Sequence, residues 1–303
     1  MKSLRNKVIL SGIVLLFAFM ATVGSTYAWF TVSSSAEVEE MTLNVTAAEN
    51  LLIRVKGLTE QYTDDQAAGY VDLNDPSNYD SNIALQDLID GGYQLQADPS
   101  TAWRLQPATI LYDDGSNTAD GKFLTYFPNV NSRSALTTAG DLDLAIENNN
   151  NGHYIKLEFW MLSQDETSRD VEMSTFSITA DNTITERNAV ANAVRLSVWF
   201  DDSVNGGGGT EEAVNIYGMD TDYGFDFDDG LDNPIAPAAA SNFPVKTPTT
   251  IETTNPVLKT VEFEVPTLIT VLIYIEGWDL QASDDIILAN FDISFGFKYV
   301  ELP

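Results

Sequence analysis

The chain has 303 residues, with 45 acidic and 15 basic side chains, no cysteine, one histidine and a formal net charge of -30. Such a surface repels phosphate backbones and anionic lipid, which argues against a nucleic-acid partner, and without thiols there is no disulfide, thiolate zinc site or cysteine nucleophile. At 44% hydrophobic, 11% aromatic and 20% charged, the composition is that of a chain with a core to bury, not of a disordered acidic polymer.

Residues 1–28 have the layout of a secretory signal peptide. Lys2, Arg5 and Lys7 form a positive start, residues 8–23 are largely apolar, and Thr26 and Ala28 supply small side chains at the -3 and -1 positions of a cut between Ala28 and Trp29. Ser11, Gly12 and Thr22 interrupt the apolar run, which is short for a spanning helix of roughly 20 residues. The competing readings are an uncleaved amino-terminal anchor and a type IV pilin leader. The second expects a cut before the apolar run and a glutamate just inside it, and the sequence has neither. Cleavage takes away three of the 15 basic residues and none of the 45 acidic ones, leaving 12 against 45, or -33. No stable membrane span is expected to remain, and the mature chain is expected outside the cell.

The new amino terminus, residues 29–40, alternates. Phe30, Val32, Ala36 and Val38 fall on one face, with Ser34 breaking the row, and Thr31, Ser33, Ser35, Glu37 and Glu39 fall on the other. An apolar row of this kind suits a strand that lies in the open sheet edge of another subunit, where main-chain hydrogen bonds give affinity and the side chains fill pockets. Head-to-tail addition does not close on itself, so it yields a filament of identical subunits. The same row equally describes a first strand paired within its own domain.

Farther on, strand signals dominate. Ile155, Leu157, Phe159 and Met161 alternate with Lys156, Glu158 and Trp160. Val194, Leu196, Val198 and Phe200 alternate with Arg195, Ser197 and Trp199, and Val261, Phe263 and Val265 alternate with Glu262 and Glu264. Residues 267–275 are apolar on both faces, which predicts a central strand covered on two sides. The last strand, with Phe291, Ile293, Phe295, Phe297 and Tyr299 on one face, is the clearest. Long polar connections at 63–80, 113–121, 148–151, 206–209 and 234–256 read as surface loops, and 84–90 and 185–191 as short helices. The expectation is an all-β, jelly-roll-like β-sandwich with long loops and few short helices, built as one domain from residues 41–303.

Reactive motifs are scarce. The segment holding Asp220, Asp222, Asp226, Asp228, Asp229 and Asp232 is the densest acidic cluster, and calcium needs about six to eight oxygen ligands. The EF-hand pattern fails because Gly230 arrives one residue early, so calcium remains a weak candidate by another loop geometry, against an ordinary solvated loop. Asp113-Asp114 and Asp201-Asp202 are weaker still. Paired carboxylates are expected by chance among 45 acidic residues, His153 has no signalled partner for base catalysis, and Gly206 to Gly209 lacks the Lys-Ser/Thr of a phosphate loop. Trp160 and Trp199 are candidates for a carbohydrate platform or, more commonly, for a second packed layer.

The signal peptide ending in Gly-Ser-Thr-Tyr-Ala followed by Trp-Phe-Thr resembles those of the TasA and camelysin family, secreted proteins of Gram-positive bacteria cut by a dedicated signal peptidase. The matching residues are Gly24, Thr26, Tyr27, Ala28 and Phe30, and the likeness extends through Met41-Thr42-Leu43-Asn44-Val45. The block 271–297, with Ile275-Glu276-Gly277-Trp278-Asp279, is similar to relatives that carry this signal. The resemblance implies a jelly-roll-like sandwich that forms extracellular or biofilm-matrix fibres by donor-strand complementation. Phe30, Val32, Ala36 and Val38 would be the donor side chains, and another protein would anchor or cap the fibre. Camelysin has been regarded as a metalloprotease, but this chain has no His-Glu-x-x-His and a single histidine, so peptidase activity is not carried over. The sequence therefore reads as a non-enzymatic structural subunit. The alternatives are a monomeric surface module binding glycan or calcium, and an extracellular glycoside hydrolase.

Overall fold

The computed structural model describes residues 36–37, 41–48, 50–63, 65, 67–93, 104–105, 108, 125–126, 143–144, 152–201, 214–219, 256–276, 286 and 289–301. Their strands in chain order are β1 (Ala36–Glu37), β2 (Met41–Ala47), β3 (Leu51–Val55), β4 (Tyr62–Thr63), β5 (Val71–Asp72), β6 (Asn82–Ala84), β7 (Arg104–Leu105) and β8 (Thr125–Tyr126). They continue with β9 (Asp143–Leu144), β10 (Tyr154–Ser163), β11 (Arg169–Thr179), β12 (Val194–Asp201), β13 (Asn215–Gly218), β14 (Lys259–Val261), β15 (Thr267–Ile275) and β16 (Phe291–Tyr299). Helix is confined, among these residues, to short turns such as Leu85–Asp90 and Thr185–Ala189, the latter running into Val190–Ala193. No helix among the described residues is long and apolar enough to cross a membrane.

Two five-stranded sheets form an all-β sandwich. One has the order β13-β12-β15-β10-β3 and is antiparallel throughout. The other has the order β14-β11-β16-β2-β6, and its β16–β2 pair is parallel, running from Phe291 opposite Met41 to Phe297 opposite Ala47. Alternation builds the space between them. Ile155, Leu157, Phe159 and Met161 of β10, together with Val194, Leu196, Val198 and Phe200 of β12, point inward against Phe291, Ile293, Phe295 and Phe297 of β16. Phe159 meets Phe295 and Phe200 meets Phe297 edge to face across the two sheets, at centroid distances of 6.3 Å in each case.

The first sheet is also covered on its outer side, as its doubly apolar central strand β15 requires. Leu73 and Tyr79, from the polar connection before β6, close over Trp160 and Leu162. Ala108 and Val214 pack against Trp199, Ile216, Leu272 and Tyr274. An Arg54–Glu60–Tyr62 clamp holds the first cover. Arg54 donates to both Glu60 oxygens at 2.8 and 2.9 Å and to the Asn78 carbonyl, and the Tyr62 hydroxyl donates to Glu60 at 2.6 Å while its ring rests 5.8 Å from Trp160. Partial burial raises the Glu60 pKa, but the hydrogen bonds from Tyr62 and Arg54 and the Arg54 charge outweigh it and leave it lowered.

One strand departs from the sequence expectation. The alternation through Phe263 and Val265 does not extend β14, which stops at Val261; Glu264 takes a positive φ of 53°, and Phe263 and Val265 are exposed. The turn precedes Pro266, which cannot donate to a ladder.

Candidate assembly surface

An acceptor for an added strand needs unpaired backbone, so the sheet edges are the places to examine. At β3, Ile53 exchanges both main-chain hydrogen bonds with Asp80, at 2.8 and 2.9 Å, which blocks that edge at its centre. β6 has three residues and β13 has four, too short to present much edge. The fourth edge is different. β14 pairs only with Arg169, Asp170 and Val171 at the start of the eleven-residue β11, and the Leu258 N–H bonds the Val171 carbonyl at 2.8 Å. Pro256, two residues upstream, has no N–H to donate. Among the described residues no strand lies beside residues 175–179 on that side, although β16 pairs with them on the other.

The local chemistry of this edge follows from a bulge. The register of β11 against β16 slips between Met173 and Thr175, so Val171 and Met173 face the core before the slip and Phe176 and Ile178 after it. The Ile178 N–H points out of the sheet and donates to the sulfur of Met219 at 3.3 Å. A thioether is a weak acceptor, and Met219 immediately follows β13, the edge strand of the opposite sheet. Phe176 is half-buried, with its ring 5.9 Å from that of Tyr217 on β13. The Tyr217 hydroxyl is fully buried and has no hydrogen-bond partner, and burial pushes its pKa well above the ordinary phenol value. Two large apolar side chains near the edge are exposed, Met219 at 41% and Val257 at 50%.

The expected donor strand is described only in part. Ala36 lies in β1, a two-residue strand paired antiparallel with β7, Ala36 opposite Leu105 and Glu37 opposite Arg104. Neither β1 nor β7 belongs to the five-stranded sheets. Ala28, Trp29, Phe30, Val32 and Val38 lie outside the described residues, as do Asp220, Asp222, Asp226, Asp228, Asp229 and Asp232. Among the described residues there is no group of three or more His, Asp or Glu placed to hold a metal ion.

Other candidates sit inside the molecule. Trp160 and Trp199 are buried, at 4% and 7% exposure, so they form the second layer and offer no platform to a sugar. His153 is buried as well. Arg195 is fully buried on the outer side of the first sheet, its Nη1 donating to the carbonyls of Val194, at 3.0 Å, and Asn192. Gly218, opposite it, leaves the room: a Cβ there would lie 3.0 Å from Arg195 Cδ. Tyr274, the neighbour of Arg195 on β15, and Glu276 are buried in the same layer. All of these groups are sealed from solvent. The edge of β11 was not foreseen from the sequence, because the bulge breaks the period-2 signal; Val171 and Met173 followed by Phe176 and Ile178 is the pattern that marks it. No family model, no curated protein and no solved structure matches the chain.

Proposed function

We propose that this chain is a secreted, non-enzymatic structural subunit that polymerises outside the cell, each copy donating its amino-terminal strand to the next, to form an extracellular or biofilm-matrix filament. One observation supports the reading: among the described residues neither five-stranded sheet includes a residue of segment 29–40, and Ala36 and Glu37 pair with β7 in a separate two-stranded ribbon. An amino-terminal strand with an apolar row that joins neither sheet of its own sandwich would be available to another subunit. The signal-peptide resemblance supports the same reading, and the burial of Trp160 and Trp199 takes those two side chains away from a sugar platform.

The pairing of Ala36 with Leu105 favours a second reading, a monomeric secreted module that binds glycan or calcium. Negative-stain microscopy and sedimentation of a chain starting at Trp29, beside one starting at Glu40, separates the two. Fibres from the first and single particles from the second are expected. Single particles from both, at all calcium and salt concentrations, would leave the module.

A further inference from the structure

We infer that the receiving site for the donated strand is the outer edge of β11 over residues 175–179, and that its occupant is segment 29–40 of a second copy of this chain. The inference rests on the filament reading and adds to it the place where the strand lands.

Four observations converge there. First, this is the stretch of sheet edge that neither a neighbouring strand, nor a short length, nor a cross-bridge like that of Ile53 and Asp80 closes off among the described residues. Five residues of strand span about 17 Å, enough for three successive core-facing positions of an added strand. Second, the Ile178 amide, which a sheet neighbour would engage through a carbonyl, is held by the Met219 thioether, a weaker acceptor that a carbonyl displaces at little cost. Third, the space an added strand would line is apolar and incompletely closed. Phe176 is half-buried, Val257 and Met219 are exposed, and the Tyr217 hydroxyl is buried without a hydrogen-bond partner. Phe30, Val32 and Ala36 supply side chains of the matching character. Fourth, the described residues of the chain's own segment, Ala36 and Glu37, pair with Leu105 and Arg104 and not with β11. The β11 edge is thus left to the segment of a second copy.

The absence of native cysteine makes a cross-linking test clean. Ser33 and Ser35 lie on the polar face of the donor, and Ser177 on the outward face of β11, between Phe176 and Ile178, so cysteines there leave the core untouched. The mature chain carrying Ser33→Cys or Ser35→Cys together with Ser177→Cys would be oxidised with copper phenanthroline and run on a denaturing gel. Versions in which the second cysteine replaces Asn82 on β6 or Asn215 on β13 run beside it. A ladder of covalent dimers, trimers and larger species with Ser177→Cys, absent with the other two, is the expected result. Amide exchange gives a second reading, with Ile178 protected in the fibre and exchanging in the Glu40-start monomer. Fibres that ladder through Asn82→Cys or Asn215→Cys would overturn the β11 assignment while sparing donor-strand assembly. A cross-linked monomer alone at Ser177→Cys would show the occupant to be the chain's own strand. Neither fibres nor ladders from any version would sink the filament reading itself.

Discussion

The Tyr299 hydroxyl donates to the carbonyl oxygen of Asn50 at 2.9 Å, across 249 residues of sequence. It thereby ties the last turn of β16 to the residue that starts β3, where Asn50 takes a positive φ of 65°. Ser163 Oγ lies 2.7 Å from the same hydroxyl, and the Arg169 guanidinium stacks 4.9 Å over the tyrosine ring while bonding Asp165 at 2.8 Å. The ends of four strands, two from each sheet, are fastened at one corner.

Replacing that hydroxyl tests the corner. Tyr299→Phe leaves the ring over Arg169 but takes the phenol from Ser163 Oγ, which keeps only the 3.3 Å bond from the Asp165 N–H, and a lost hydrogen bond with a buried partner costs about 1–3 kcal/mol. Urea unfolding of the Glu40-start monomer should show a lower midpoint at unchanged slope. An unaltered midpoint would mean that water replaces the phenol without loss.

Acid sensitivity is expected of the clamp over Trp160. Glu60 has a pKa below its ordinary 4.5, so it contributes stability that is fully present above that value and is lost as the pH falls through the lowered one. Glu60→Gln should therefore be less stable than the parent near neutrality, with the difference shrinking at acid pH. Paired urea titrations at about pH 7 and about pH 3.5 read this directly; a constant difference would assign the loss to geometry and not to charge.

Gly296, in the middle of β16, is predicted to resist a methyl group. A Cβ there would collide with Thr46 Oγ1 and lie 2.7 Å from Ser174 Oγ and 3.0 Å from Thr175 Oγ1. Overpacking of this kind costs about 1–3 kcal/mol. Gly296→Ala should lower the thermal midpoint, and adding Thr46→Ala should restore part of it, since the two sites are in contact. Absence of any recovery would place the strain at the bulge instead.

On the filament reading, charge should govern how fibres associate. At -33 after cleavage, neighbouring fibres repel beyond contact unless screened, and the screening length falls from about 30 Å at 0.01 M salt to about 3 Å at 1 M. Bundles are expected to appear in micrographs as salt or calcium rises. Separate fibres under every condition would show that lateral association is blocked by something other than charge.

What the sequence made legible follows from how regular each strand is. β15 and β16 could be read because one is apolar on both faces and the other alternates without a break from Phe291 to Tyr299. β11 could not, because one extra residue at the bulge shifts Phe176 and Ile178 out of phase with Val171 and Met173. Phe263 and Val265 kept the phase but did not continue β14: Phe263 bridges Ser163 at the end of β10 and Glu264 turns the chain. Trp160 and Trp199 posed another difficulty: whether an outward tryptophan is exposed depends on what covers it, and for Trp160 the cover comes from Leu73 and Tyr79 in a stretch that reads as polar loop. The contact between Ile178 and Met219, just after β13, has no sequence signal at all.

The parallel pairing of β2 with β16 also sets an order of events. The strand that holds β11 on its inner side is β16, far downstream of both β2 and β11, so β11 has no sheet to be the edge of until β16 has paired. Contacts between the two ends of a long chain form late and slowly. On the proposed assembly, the donor segment precedes its receiving edge along the chain, which would give each copy an interval in which it carries a plug but no socket and would delay self-association until β16 is in place.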